Sequence, residues 1–97
     1  MGAEQAVIEI KHESSQQRYV ALVCGMPAGF CQYEASGGTV TFTHTVVDPE
    51  FEGQGIGSAL GKFALEDCQA TGKKVVPACT FISRYMAMHN EFKDLLG

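Results

Sequence analysis

Apolar and polar residues alternate over residues 6–11, with Ala6, Ile8 and Ile10 on one face. A period of two belongs to a half-buried strand. Residues 12–17 are polar and read as a turn, with His12 in solvent. A second strand follows over 18–24 and a third over 28–35, separated by the Gly25-Met26-Pro27 punctuation. Ser36-Gly37-Gly38 is a hairpin signal, because glycine accepts positive φ. Residues 39–47 make a fourth strand. Straight alternation puts Val40, Phe42, His44 and Val46 on one face and Thr39, Thr41, Thr43 and Thr45 on the other. The period then changes. Ile56, Ala59, Leu60, Phe63, Ala64 and Cys68 recur at helical spacing over 56–71, and Gly72 suits the position just past a helix end. A fifth strand is expected over 74–79 and a second helix over 81–89. A short turn over 91–96 offers Phe92, Leu95 and Leu96 for docking.

Four short strands with tight turns predict an antiparallel meander. Strand four, the helix and strand five form a βαβ crossover, so those strands should be parallel and the connection right-handed. The pattern predicts one α+β domain over residues 1–97, with a mixed five-stranded sheet and two main helices.

Composition removes some functions. Of 97 residues, 45% are apolar, enough for one core and no second domain. A net charge of −4 argues against a nucleic-acid footprint. Lys73-Lys74 is the only adjacent basic pair and reads as a solvated loop. No stretch has the apolar length of a membrane span, and residues 1–5 lack the basic and apolar regions of a secretory signal. Met1-Gly2 invites a myristoylation reading that Ala6 contradicts. Cys24, Cys31, Cys68 and Cys79 have no metal-ligand or C-x-x-C spacing. The expectation is a cytoplasmic protein with reduced thiols and no metal.

The segment from Val46-Val47-Asp48-Pro49 through Glu50-Phe51-Glu52-Gly53-Gln54-Gly55-Ile56-Gly57-Ser58 places three glycines on alternate positions at the start of a helix. Such a turn leaves backbone N–H groups pointing outward, which suits a phosphate or pyrophosphate. The dinucleotide pattern G-x-G-x-x-G fails at Ser58 or Leu60, depending on the starting glycine. The Walker pattern fails at Ile56 and Phe63, although Gly61-Lys62 is present. What remains resembles the acyl-CoA signature [QR]-x-x-G-x-[GA] of the GCN5-related N-acetyltransferases, with Glu52 at its first position. His44-Thr45-Val46-Val47, the glycine turn and Val75-Val76-Pro77-Ala78-Cys79-Thr80-Phe81 together resemble the short, single-domain acetyltransferase-like members of that superfamily, of about one hundred residues. The resemblance covers nearly the whole chain.

The resemblance implies a splay between strands four and five that admits a pantetheine arm. It implies acetyl-CoA or CoA as cofactor, with the backbone of Gln54, Gly55, Ile56, Gly57 and Ser58 around the pyrophosphate. It also implies that the backbone of Thr45, Val46 and Val47 pairs with the pantetheine amides and polarises the thioester. The acceptor would be a primary amine: a small amine, a protein lysine or an N-terminus. The acidic balance favours a cationic acceptor. The alternative is a non-catalytic acyl-CoA-binding module with the same glycine turn.

Three side chains are candidates for catalysis. Cys79 closes strand five before a helix, where a thiol can gain thiolate character. It reads as an acyl-accepting nucleophile, as a lining group beside direct amine attack, or as an inert buried thiol. His44 is a general base or a hydrogen-bonded structural residue. Tyr85 is a donor to the leaving thiolate or a packing residue. His89 and Asn90 cap the second helix or border the cofactor. Cys24, Cys31 and Cys68 read as core.

Overall fold

Tight turns join the first four strands, so they lie side by side in chain order. The computed structural model describes residues 7–96. Strands β1 (Ile8–Glu13), β2 (Arg18–Val23), β3 (Met26–Ser36) and β4 (Thr39–Val47) form an antiparallel meander, and β5 (Lys74–Pro77) adds in parallel beside β4. Helix α1 (Ile56–Ala70) makes the crossover and α2 (Thr80–Met88) follows β5. Three 3-10 turns, Ser14–Gln16, Pro49–Phe51 and Asn90–Leu95, complete the described chain. The sheet is mixed and the fold is α+β, as the hydrophobic pattern predicts.

One face of the sheet buries against the helices. Tyr19, Ala21, Cys31, Tyr33, Val40 and Phe42 meet Ile56, Leu60, Ala64, Leu65 and Cys68 of α1 and Ile82 and Met86 of α2. Each large apolar side chain taken fully from water contributes roughly 1.5–3 kcal/mol. Phe92 and Leu95 close the core from the last turn, while Leu96 stays exposed. On α1 the helical stripe holds except at its edges. Gly61 and Leu65 are buried, Phe63 is exposed and Ala59 is half-buried.

Four expectations need correction. First, β1 runs two residues further than expected, and Ala6 lies outside the described residues. His12 is therefore in a strand, not a solvated turn. Its ring stacks on Tyr19 with centroids 4.2 Å apart. Its Nε2 meets the Tyr33 hydroxyl, and its Nδ1 lies 3.5 Å from Asp67 Oδ2. Tyr19 donates to the same carboxylate at 2.7 Å.

Second, the turn after β2 uses Cys24 and Gly25, at φ 51° and 83°. Two adjacent residues at positive φ make the tight hairpin turn that matches strand twist. Met26 and Pro27 thus pair with Val23 and Leu22, and Cys24 is exposed rather than core. Third, β5 stops at Pro77, which has no N–H to continue a ladder.

Fourth, β4 does not alternate straight through. Gln32 pairs with His44 but Tyr33 pairs with Phe42, so Thr43 is an extra residue on β4. Such a β-bulge inverts the faces beyond it. Val40 and Phe42 are buried, but His44 and Val46 are exposed and Thr45 takes the inward side.

Candidate functional site

The site begins where two strands part. β4 and β5 pair from Thr39 with Lys74 to Phe42 with Pro77. Beyond that pair β4 runs on to Val47, held on its other side by β3, while β5 turns into α2. The edge of β4 that faced β5 therefore has no strand partner over residues 43–47 among the described residues. A cleft of ≈ 500 Å³ opens there, walled by Thr43, His44 and Thr45 on one side and by residues 78–81 and Arg84 on the other. Arg84 is the one fully charged side chain in that wall, and no carboxylate lines it.

Cys79 sits at the base of α2 as its N-cap, with its carbonyl accepting from the Ser83 N–H at 3.0 Å. Its side chain is buried, 8% exposed. The thiol donates to Thr45 Oγ1 at 3.3 Å, and Thr45 in turn donates to Cys31 Sγ at 3.4 Å. Burial pushes the Cys31 thiol up to about 11, against a smaller opposing pull from the Thr45 hydroxyl. His44 is exposed, with Nδ1 3.1 Å from the Thr43 hydroxyl.

The glycine turn lies beyond Phe81. Asp48 accepts the Glu50 N–H at 2.9 Å and starts the 3-10 turn Pro49–Phe51. Gly53 and Gly55 then take φ 85° and 79°, where an added Cβ would meet nothing within 4 Å. These two positions need glycine for their backbone and leave open space in front of it. Gly55 is the N-cap of α1 and no side chain caps the helix. The first intrahelical bond is Ala59 N–H to Gly55 O, at 2.9 Å. The amides of Ile56, Gly57 and Ser58 thus leave the helix end without intrahelical partners, and the dipole there favours an anion. The Gln54 amide is already bonded to Phe51 O at 3.3 Å.

Gly57 serves a different purpose from its two neighbours. A Cβ there would come within 2.8 Å of Phe81 Cζ. Its bareness lets α2 press against α1 and seats the Phe81 ring between the glycine turn and the cleft. Gly61 repeats the device one turn later, where a Cβ would lie 3.3 Å from the Tyr85 ring.

The structure brings His44, Thr45 and Cys79 to one cleft and sets the amides of 56–58 near it, across Phe81. It does not bring Tyr85 or Asn90 there. The Tyr85 ring packs on Gly61 and stacks on His89 with centroids 3.9 Å apart. Burial, with the Glu91 and Glu66 carboxylates, raises its hydroxyl above the ordinary value. His89 Nδ1 meets the Tyr85 carbonyl at 2.8 Å. Asn90 adjoins Glu91, whose carbonyl accepts from Gln69 near the far end of α1. That is about 20 Å of helix from Gly55. Arg84 and Thr80 were not singled out by the sequence. One signal, their place in the first turns of the helix that Cys79 caps, could have found them. Val46 is exposed on the outer face, while Val47 packs against the core.

Comparison with known proteins agrees on the architecture. A family model described as GCN5-related N-acetyl-transferase matches residues 18–95. Among solved structures, the ribosomal-protein-S18-alanine N-acetyltransferase from Escherichia coli superposes with a TM-score of 0.58 at 19% identity, over 75% of this chain and 41% of that one. Ard1 from Thermoplasma volcanium gives 0.57 at 26% identity, over 65% and 44%. The IAA acetyltransferase from Bacillus cereus gives 0.54 at 21% identity, over 72% and 63%. The match thus spans about two fifths of the length of the first two. No curated protein matches the sequence.

Proposed function

The chain belongs to the GCN5-related N-acetyltransferase family, and from that premise we propose that it binds acetyl-CoA and passes the acetyl group to a primary amine. The observation that carries this reading is the parting of β4 from β5 directly after the Phe42–Pro77 pair. It leaves a strand edge, a thiol-lined cleft and an uncapped helix start close together. Acetyl-CoA, when bound, supplies an acetyl group activated as a thioester.

The residues present fit such a group. The amides of Ile56, Gly57 and Ser58 hold an anion, and the open space before Gly53 and Gly55 admits its approach. The unpaired edge of β4 over Thr45, Val46 and Val47 offers backbone groups to an extended amide chain, as a strand would. An N–H on that edge polarises a carbonyl held against it. His44, exposed at the cleft wall, takes the proton of an attacking amine. The bond from Cys79 goes to a hydroxyl and not to a base. This supports direct attack by the amine, with Cys79 lining the acyl site. Tyr85 and Asn90 have no part in this reading, because they stand outside the cleft. The absence of any carboxylate from the cleft wall gives no support to a polycationic acceptor. An amine delivered uncharged, from a small molecule or a protein terminus, fits better. A cytoplasmic location is part of the same proposal.

Calorimetric titration with acetyl-CoA tests the binding step, and an amine panel tests transfer. No heat at millimolar acetyl-CoA removes the reading. Binding without turnover on any amine converts it to the non-catalytic acyl-CoA module. Intact mass after incubation separates the routes. An added acetyl group lost in Cys79→Ser would establish a covalent step.

A further inference from the structure

Two sulfurs compete for one hydroxyl in the floor of the cleft. The Thr45 side chain stands between Cys79 Sγ, 3.3 Å away, and Cys31 Sγ, 3.4 Å away. A hydroxyl has one hydrogen and rotates about its C–O bond. In the arrangement described, that hydrogen points to Cys31 and a lone pair faces Cys79. Cys79 directs its own hydrogen at Thr45. A thiolate at Cys79 would face that lone pair and be repelled. Turning the hydroxyl towards Cys79 would instead give the thiolate a donor, a contact stronger than a neutral hydrogen bond.

We infer that Thr45 is the positioning residue for Cys79, its hydroxyl rotating between Cys31 and Cys79 to set whether the cleft thiol is inert or reactive. The inference deepens the acyl-site reading above and rests on it for what the thiol would do, but not for the rotor itself. In the step, the Cys79 S–H bond breaks and its proton leaves to solvent. The Thr45 O–H swings from Cys31 to the new thiolate. Cys31 keeps its own hydrogen throughout, since burial holds it as a thiol to about 11. Losing a bond to a sulfur acceptor costs little, so Cys31 is a yielding counterpart.

The geometry depends on the bulge. Only because Thr43 is an extra residue does Thr45 face inward, with His44 turned to the exposed side. The other titratable or charged groups around Cys79 are His44 from β4, Arg84 from α2 and Cys31 from β3 behind the threonine. The first two share the cleft wall. Neither is hydrogen-bonded to the thiol among the described residues. Thr45 is thus the partner through which its proton is controlled.

Alkylation of Cys79 by iodoacetamide, read by site-resolved mass spectrometry from pH 6 to 10, tests this. A Cys24→Ser background removes the exposed thiol. Thr45→Val keeps the shape and deletes the hydroxyl. It should move the midpoint of the alkylation profile up by about one pH unit, roughly tenfold slower labelling near neutrality. Thr45→Ser should restore the parent profile within about twofold. Cys31→Ala frees the hydroxyl from its competitor and should speed labelling about two- to threefold, which keeps the test alive should Thr45→Val not fold. A Thr45→Val profile that overlies the parent overturns the inference. So does slower labelling in Cys31→Ala, or a parent Cys79 that never reacts. Acetyl-CoA titration of the same proteins reports separately on the cofactor reading.

Discussion

Two polar clusters in this molecule are each built around a histidine and differ in what is left open. The corner formed by β1, β2, β3 and α1 holds His12, Tyr19, Tyr33 and Asp67. Every polar group there is answered by another: ring stacked on ring, both imidazole nitrogens against partners, two groups converging on one carboxylate. The cleft between β4 and α2 holds His44, Thr45, Cys79 and Arg84. Its bonds are single and long, two of them to sulfur, and its strand edge has no neighbour. A closed network specifies packing. An incomplete one keeps donors and acceptors for something else. The presence of a histidine does not distinguish a site from a staple. The residual valence does.

The contrast breaks most sharply at Asp67. Asp67→Ala takes the partner from the hydroxyl of Tyr19, a residue only 2% exposed. Stability should fall by about 2–3 kcal/mol, while acetyl-CoA affinity changes less than about twofold. Denaturant titration and calorimetry on one sample check both. Parallel losses would show that the corner and the cleft are one unit. Alkaline pH acts on both regions alike. Burial raises Cys31 at the cleft and Cys68 beside the corner to about 11. The folded state therefore prefers the thiols. Their contribution is complete below the unfolded thiol range near pH 8.5 and is lost as pH climbs towards 11, by about 3 kcal/mol for each thiol. Denaturation midpoints from pH 7 to 11 should decline, less steeply in Cys68→Ala. Gly57→Ala probes the seam between the glycine turn and the cleft. Added helix propensity gives back up to about 1 kcal/mol, less than the cost of pressing a methyl group 2.8 Å from Phe81. A net loss of about 1 kcal/mol is expected, with weaker acetyl-CoA binding as Phe81 shifts. Arg84→Ala should be the mildest, within about 0.5 kcal/mol in thermal melts. Its effect should fall on ligand or acceptor binding, and an unchanged binding profile would remove Arg84 from the site.

Local patterns carried most of the fold. Ser36-Gly37-Gly38 and the Thr- and Val-rich run after it place β4 to the residue. The change of period at Ile56 places α1, and a fifth strand after Gly72 forces the parallel pair. What stayed hidden is set by distant partners. His12 is polar and neighbours a turn, and only Asp67, 55 positions on, makes it part of a strand-to-helix staple. Cys24 is a small apolar residue by type, and the Cys24–Gly25 turn shows itself only once β2 and β3 are paired. Thr39 to Val47 alternates so evenly that nothing within it announces a bulge. The extra residue is defined by its mismatch with β3. Straight alternation accordingly puts the Thr45 side chain on the wrong face, and the link from Cys79 to Cys31 has no signal in the sequence. The glycines look alike in sequence as well. Two serve backbone conformation and one serves helix packing, and only the neighbourhood of Phe81 tells them apart.

The bulge at Thr43 gives the cleft a counting rule. Between the hairpin at Gly37-Gly38 and the end of β4, inward side chains stand at even numbers before Thr43 and at odd numbers after it. Nine residues of β4 face eight of β3. Closing the bulge with all nine kept would leave every cleft-forming amino acid in the chain and exchange histidine for threonine beside the thiol. Loss of one residue before the bulge would instead let the strands pair evenly, with Thr45 still opposite Cys31. A one-residue slip of register in β4 is therefore a larger chemical change than most substitutions within it. Relatives of this chain are better aligned by the position of their bulge than by the identity of the residues around it.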